Sequence, residues 1–438
     1  MEPTGGFSCS NPLINKLVDN TLWSMKSNFL DVPTDCPQRE RAAWTGDAQV
    51  FFVAGSYLMN TAPFIRKWMR DLQDAQTQNG LIPNIVPTIG SDPIVDMMQG
   101  SVGWADAAVL IPYRYWKLYG DTAILDDNRE MMQKYAAFME KRAKKRNPLR
   151  LLIHNPYRRY TYEVGKHWGE WAEPAEEKFE SVMSLGFPRP EEATAYYAYV
   201  MRLMHEISQK NNWPLENQYK TNAIGGKKAY NHLFVKKNDI DSIRPSKLVR
   251  PLALGLLDEE ARKRVAKRLD KLMKSRDYRV GTGFLSTPFL LPVLDDNGYL
   301  DTAYATLEQE EAPGWLYQVK NGATTIWEHW TGFIEGKQYA SLNHYTGGSV
   351  CEWLFSSVAG IRTTGISYHF VIKPMPGRSL TQAMASYDSI YGMVRSGWYR
   401  KNEQVEFIIE IPPNCTADIH LPDGKSETVG AGQYFFKR

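Results

Sequence analysis

The chain is poor in cysteine, in net charge and in long apolar runs, and each shortage closes off a class of function. Its four cysteines, Cys9, Cys36, Cys351 and Cys415, are scattered through 438 residues with no CxxC pair and no Cys/His ligand spacing. That removes the sequence signatures of a structural zinc site or a dithiol redox centre, and although the four thiols could pair, nothing in their spacing demands it. Lys and Arg total 52 against 49 Asp and Glu, a net charge of +3. So small an excess gives no electrostatic footprint for nucleic acid or an anionic membrane, and neither is expected as a partner. No stretch approaches the roughly 18 apolar residues of a membrane span, and no basic segment followed by an apolar run opens the sequence. On the chain as it stands the expectation is a cytoplasmic protein without an export signal. The sequon Asn414-Cys415-Thr416 carries little meaning without a secretory route.

Catalytic signatures are missing as well. No GxSxG elbow, Walker loop, HExxH pair or dinucleotide GxGxxG stands in strand–helix context, and Gly281-Thr-Gly283 is too short to count. Neither a metal nor an organic cofactor is expected. What the chain has in quantity is aromatic surface: 12% Phe, Trp and Tyr, with 13 Trp and 24 Tyr, in a composition 43% hydrophobic and 23% charged. Indoles and phenols offer a flat apolar face beside a polar edge, which suits sugars, although most buried aromatics simply pack.

Up to about residue 361 the sequence reads as helix after helix. Apolar residues recur at three- and four-residue spacing near 11–29, 47–60, 64–78, 102–118, 123–146, 190–211, 258–274, 297–309 and 346–359. No fixed-period motif repeats, which favours a closed ring of helix pairs over a solenoid. The texture then changes: 367–373, 391–401, 404–411, 417–421 and 432–437 are β-branched and aromatic between Pro, Gly and Asn, as strands and turns require. The expectation is two domains, a helical one over 1–361 and a small β domain over 362–438. The basic stretch 142–166 reads first as a solvated excursion and second as a polar-substrate rim.

The densest polar constellation is Asp35-Cys-Pro-Gln-Arg39-Glu40-Arg41-Ala-Ala-Trp44-Thr-Gly-Asp47. Pro37 disfavours helix at Cys36, so the motif starts in a loop. Asp47 stands where an apolar periodic run begins and could serve only as a helix cap. Capping does not account for Asp35, Arg39, Glu40 and Trp44 in the same stretch, where carboxylate and Arg neighbours would set contrasting pKa values. A salt-bridged loop is the plainer alternative. A second focus, Thr324-Thr-Ile-Trp327-Glu328-His329-Trp330, sets an acid between indoles, and a glycosidase needs one carboxyl kept protonated and another kept ionised. A third cluster, His167-Trp168-Gly-Glu170-Trp171, has the same character, and Ser341-Leu-Asn343-His344-Tyr345 opens the last long helix.

Taken together, Asp-Cys-Pro-Gln-Arg-Glu-Arg…Trp-Thr-Gly-Asp, then Thr-Thr-Ile-Trp-Glu-His-Trp and Ser-Leu-Asn-His-Tyr resemble the α-L-rhamnosidases of glycoside hydrolase family 78, from about Gly6 to the C-terminus. The resemblance implies an (α/α)6 barrel followed by a C-terminal β-sandwich, and inverting hydrolysis of terminal α-L-rhamnosides with rhamnose-containing glycosides as partners. Glu40 matches the family's general acid and Glu328 its general base, with carboxyls roughly 6.5–9.5 Å apart to admit a water. Asp35, Arg39, Trp44, Asp47, Trp104, one of Trp168 and Trp171, Trp327 and His344 match positions expected around the sugar. Two departures stand out: the usual β domains ahead of the barrel are absent, as in a minimal member or a fragment, and Glu170 stands where many members carry Asp, which bears on the aglycone-side subsite. A non-catalytic rhamnose-binding barrel, another (α/α)6 glycosidase and, more distantly, a polysaccharide lyase remain as alternatives at this level.

Overall fold

The computed structural model describes residues 1–150, 152–174, 187–377 and 379–438. Its longer helices are α1 (Pro12–Asn28), α2 (Thr45–Leu58), α3 (Ala62–Ala75), α4 (Ala107–Tyr119), α5 (Arg129–Ala143), α6 (Pro190–Asn211), α7 (Glu216–Phe234), α8 (Pro245–Ala253), α9 (Glu259–Ser275), α10 (Thr287–Asp296) and α11 (Leu300–Leu307). A composite α12 over 346–358 begins with 3-10 pitch and ends with π pitch. The even-numbered helices form the inner ring of an (α/α)6 barrel: α2 packs on α4 and α12, α4 on α6, and α10 on α8 and α12. Arg250 of α8 closes the remaining gap by pairing with Glu191 of α6.

Patterning explains the two rings. In outer helix α3, Ile65, Trp68, Met69 and Leu72 are the buried residues, an i, i+3, i+4, i+7 stripe with a polar opposite face. Inner helix α2 is buried on nearly every side, as a helix walled by neighbours must be. Inner helix α10 gives no periodic signal because it too lacks a polar face, α8 is only nine residues long, and each carries an internal proline, Pro292 and Pro251 respectively, which normally signals a helix end. Helix α7 carries the pair Gly225-Gly226, whose missing side chains admit Tyr160 and Ala198. The expected helix over 123–146 divides at Asn128, whose amide donates to the Ile124 carbonyl at 2.8 Å and so competes with helical pairing. The basic stretch is not wholly solvated either, since Arg150 pairs with Glu163 at 3.0 Å.

A short antiparallel hairpin, β2 (Phe333–Ile334) and β3 (Lys337–Gln338), interrupts the approach to α12, and after Val358 the chain enters a two-sheet sandwich. One sheet has the order β1-β6-β7-β8-β11, from strands Gly5–Cys9, Gln382–Ser389, Gly392–Lys401, Gln404–Ile411 and Gly432–Lys437. The other has the order β10-β9-β5-β4, from Ser426–Val429, Thr416–His420, His369–Ile372 and Ile361–Thr363. Strand β1, though it precedes the helices in sequence, lies antiparallel to β6 inside the β module. Its two glycines give no strand signal, yet Gly5 is required: a Cβ there would sit 2.1 Å from the Tyr57 carbonyl oxygen. The two parts share one apolar core, stitched by Trp398 donating to the Val358 carbonyl and Tyr57 to that of Ile361. All four cysteines are buried free thiols. Among the described residues no helix is long and apolar enough to cross a membrane.

Candidate active site

Two chain segments face each other at one end of the ring. The first runs from Asp35 into α2. Asp35 donates its N–H to the Ala42 carbonyl and accepts the Ala42 N–H at 2.8 Å, so the loop closes on itself with Gln38 to Arg41 at its outer turn. The second carboxylate oxygen of Asp35 accepts the Cys36 thiol at 2.8 Å, and burial with this acid beside it pushes Cys36 up to about 12. Asp35 is only 2% exposed and holds the loop through these bonds. Glu40 points outward and accepts the Trp44 indole N–H at 2.9 Å.

Trp44 is the residue that starts α2, and no side chain caps that helix. Asp47, in the first turn, turns instead to His344, whose Nε2 lies 3.2 Å away, and capping is thereby set aside as its role. Between them, Gly46 lets the Trp104 indole pass within 2.5 Å of where a Cβ would stand. Trp104 is 3% exposed and packs against the first turn of α2 at Gly46.

The second segment runs from Ile326 to His344. Glu328 donates its N–H to the Ser341 carbonyl, and its Oε2 accepts the Ser341 N–H at 2.9 Å. Its other oxygen accepts the Trp171 indole at 3.2 Å, and Arg39 from the first segment approaches Oε2 at 4.0 Å. Trp327 is buried, edge-on to Phe333, and helps line a small cavity with Glu328, Phe284, Gln318 and Thr346. It therefore backs the acid from behind, while Trp330 packs on Trp315 in the core. Trp168 stands edge-on to Trp44 at 5.3 Å and to Trp171 at 5.8 Å between centroids. A chain of three indoles thus links Glu40 to Glu328, with the outer two donating to the acids. Of Trp168 and Trp171, the latter is the more open, 39% against 7% exposed.

The electrostatics separate the two acids. Burial among protein atoms raises Glu40, with Asp35 and Glu328 adding to the effect against the Trp44 hydrogen bond, even though its carboxylate reaches solvent. Glu328 also suffers desolvation, but His344, the Ser341 N–H, Trp171 and Arg39 outweigh it and hold it below the usual range. Burial alone would drive the proton from His344; the hydrogen bond and charge of Asp47, with Glu328 and Asp35, reverse that and raise it to about 9. An imidazolium therefore stands within a ring of carboxyls at neutral pH, favouring ionised Glu328.

Glu170 is held in a buried ion pair with Arg250 of α8. Fully enclosed, it accepts from Arg250 at 2.7 Å and from the N–H and hydroxyl of Ser286. Sequence reasoning passed over Gln38 and Ser341, which were quoted only as spacers in their motifs.

Both halves of the chain match family models: the bacterial alpha-L-rhamnosidase 6 hairpin glycosidase domain over residues 2–358, and the bacterial alpha-L-rhamnosidase C-terminal domain over 360–436. The chain belongs to the α-L-rhamnosidases of glycoside hydrolase family 78. Among family 78 relatives, an α-L-rhamnosidase of Streptomyces avermitilis is 33% identical over 95% of this chain and 38% of its own length. One of Formosa agariphila is 32% identical over 97% of this chain and 45% of its own. The solved S. avermitilis α-L-rhamnosidase complexed with L-rhamnose superposes with a TM-score of 0.89 at 31% identity, covering all of this chain and 42% of that one. The native Aspergillus terreus enzyme gives 0.89 at 30%, covering all of this chain and 50% of that one. The chain thus spans less than half the length of the curated relatives it matches.

Proposed function

We propose that the chain hydrolyses terminal α-L-rhamnosyl linkages with inversion, Glu40 acting as general acid and Glu328 as general base. The opposite displacement of the two carboxyls carries this reading: Glu40 is pushed toward its protonated form and Glu328 toward its ionised form. An inverting glycosidase needs that division of labour. Glu40 gives its proton to the glycosidic oxygen as the C1–O bond breaks, and a water on the opposite sugar face adds to C1 while Glu328 takes its proton. The products are free rhamnose as the β anomer and the released alcohol.

Trp44, Trp168 and Trp171 would supply apolar surface to the sugar ring and its methyl group, with Arg39 able to donate to a hydroxyl. Asp47 and His344, paired and buried, would define the pocket floor. The family membership and the relatives' names, one of them solved with L-rhamnose, support rhamnose-containing glycosides as the substrate class.

Substitution tests the pair. Glu40→Gln and Glu328→Gln should each cut turnover of an aryl α-L-rhamnoside by at least about 100-fold, and proton NMR of the first-formed sugar should show the β anomer. Unchanged turnover in either variant would refute the assignment, and a first-formed α anomer would refute inversion.

A further inference from the structure

Ser341 is wholly buried and touches both acid-bearing segments. Its main chain makes two hydrogen bonds with Glu328, one to the carboxylate. Its hydroxyl accepts the side-chain amide of Gln38 at 2.9 Å, accepts the Asn343 N–H at 3.1 Å and donates to the Asn343 carbonyl at 3.0 Å. One donor and two acceptor positions exhaust what a serine hydroxyl offers. Gln38 lies in the same outer turn as Glu40, two residues ahead of it. The Glu40 side chain itself is tethered by the Trp44 indole, and its main chain by an N–H donated to the Cys36 sulfur at 3.3 Å. The Gln38 amide is the direct hydrogen bond from this turn to the wall that holds Glu328.

We propose that Gln38 and Ser341 form a clasp that fixes the turn carrying Glu40 against the segment carrying Glu328, which makes Gln38 a positioning residue for proton donation to the leaving group. The inference rests on the reading of Glu40 as the acid. An inverting pair works across a set gap, and misplacement by about 1 Å costs on the order of 100-fold. A solvent-facing glutamine immobilised on a buried serine at the other end of the sequence supplies such a constraint. Loss of the amide removes this tether while leaving the Glu40–Trp44 hydrogen bond in place.

A leaving-group series tests the clasp. A 2,4-dinitrophenolate departs without protonation, whereas a phenolate, whose conjugate acid has a pKa of about 10 like tyrosine, needs the acid in place. Gln38→Leu should lose about tenfold or more in kcat on phenyl α-L-rhamnoside and about twofold or less on the dinitrophenyl analogue. Ser341→Ala should show the same selectivity, and the double variant should be no worse than the poorer single one, as for two ends of one contact. Both substrates report on the same folded fraction, so partial unfolding cannot imitate the selectivity. Equal losses on the two substrates, or none, would overturn the proposal. Glu40→Gln measured in parallel separates the two levels: if it loses equally on both substrates, Glu40 is not the proton donor and the clasp falls with it. If Glu40→Gln is selective and Gln38→Leu is not, only the clasp falls.

Discussion

His344 Nε2 lies 3.2 Å from Asp47 Oδ2, and both side chains are sealed from solvent. The imidazole, raised from 6.5 to about 9, contributes stability that is fully present below its ordinary value and is lost as pH climbs through about 9. Asp47 is itself raised, because desolvation outweighs the imidazolium beside it; His344 keeps its proton because Glu328 and Asp35 act on it as well. Resistance to urea unfolding should therefore fall between pH 6.5 and 9, and His344→Gln should abolish that slope while costing about 3–5 kcal/mol at neutral pH through the unpaired Asp47. The same variant removes a cation that keeps Glu328 ionised, so the acidic limb of kcat/KM should move to higher pH.

The two donating indoles predict shifts on different limbs. Trp44→Phe removes a hydrogen bond that lowers Glu40, so the acid should stay protonated to higher pH and the alkaline limb should move upward. Trp171→Phe removes one that lowers Glu328, so the base should ionise later and the acidic limb should move upward. A pH–rate profile of each variant distinguishes them, and exchange of the two effects would reverse the assignment of acid and base.

Gly46→Ala tests the seat of α2. The new methyl would meet the Trp104 indole at 2.5 Å, and overpacking of this kind costs about 1–3 kcal/mol. A lowered Tm, together with weakened rhamnose binding as the helix start and Asp47 shift, is the expected result in thermal melts and calorimetry.

Arg250 is 2% exposed and pairs with Glu170, Glu191 and Glu192 between α6 and α8. Arg250→Met should destabilise the barrel by about 3–5 kcal/mol, because it strands acids that burial already strains. Denaturant midpoints report this, and the loss should lessen toward acid pH, as the carboxyls protonate.

The barrel was legible where a helix has two faces. Outer helices such as α3 and α9 announce themselves through stripes like Ala261, Val265, Leu269 and Met273, whereas α10, walled in and apolar, has no stripe to read, and α8, nine residues long, is masked by Pro251. In the β module, 404–411 and 432–437 emerge at their true ends, yet β1 and β4 do not: β1 takes its strand character from a partner distant in sequence, and β4 is only three residues long. At the site, the acids and indoles were legible by type, but depth was not. Trp104 and Trp327 share their side chain with Trp171, and packing alone decides which of them meets solvent. Gln38 and Ser341 lacked chemistry to draw notice until the fold brought them within 2.9 Å.

The pairing of β1 with β6 means that the five-stranded sheet cannot be completed until strands beyond the helical ring have been made, while its first strand is made before that ring. During synthesis Gly5–Cys9 must wait unpaired through the whole helical ring, a long-range contact of the slow-forming kind. An excised piece beginning at residue 362 would likewise leave one flank of Gln382–Ser389 bare, an open template for pairing with other chains. Expression of that piece alone should yield aggregate, and a synthetic peptide carrying residues 1–11 should restore its solubility.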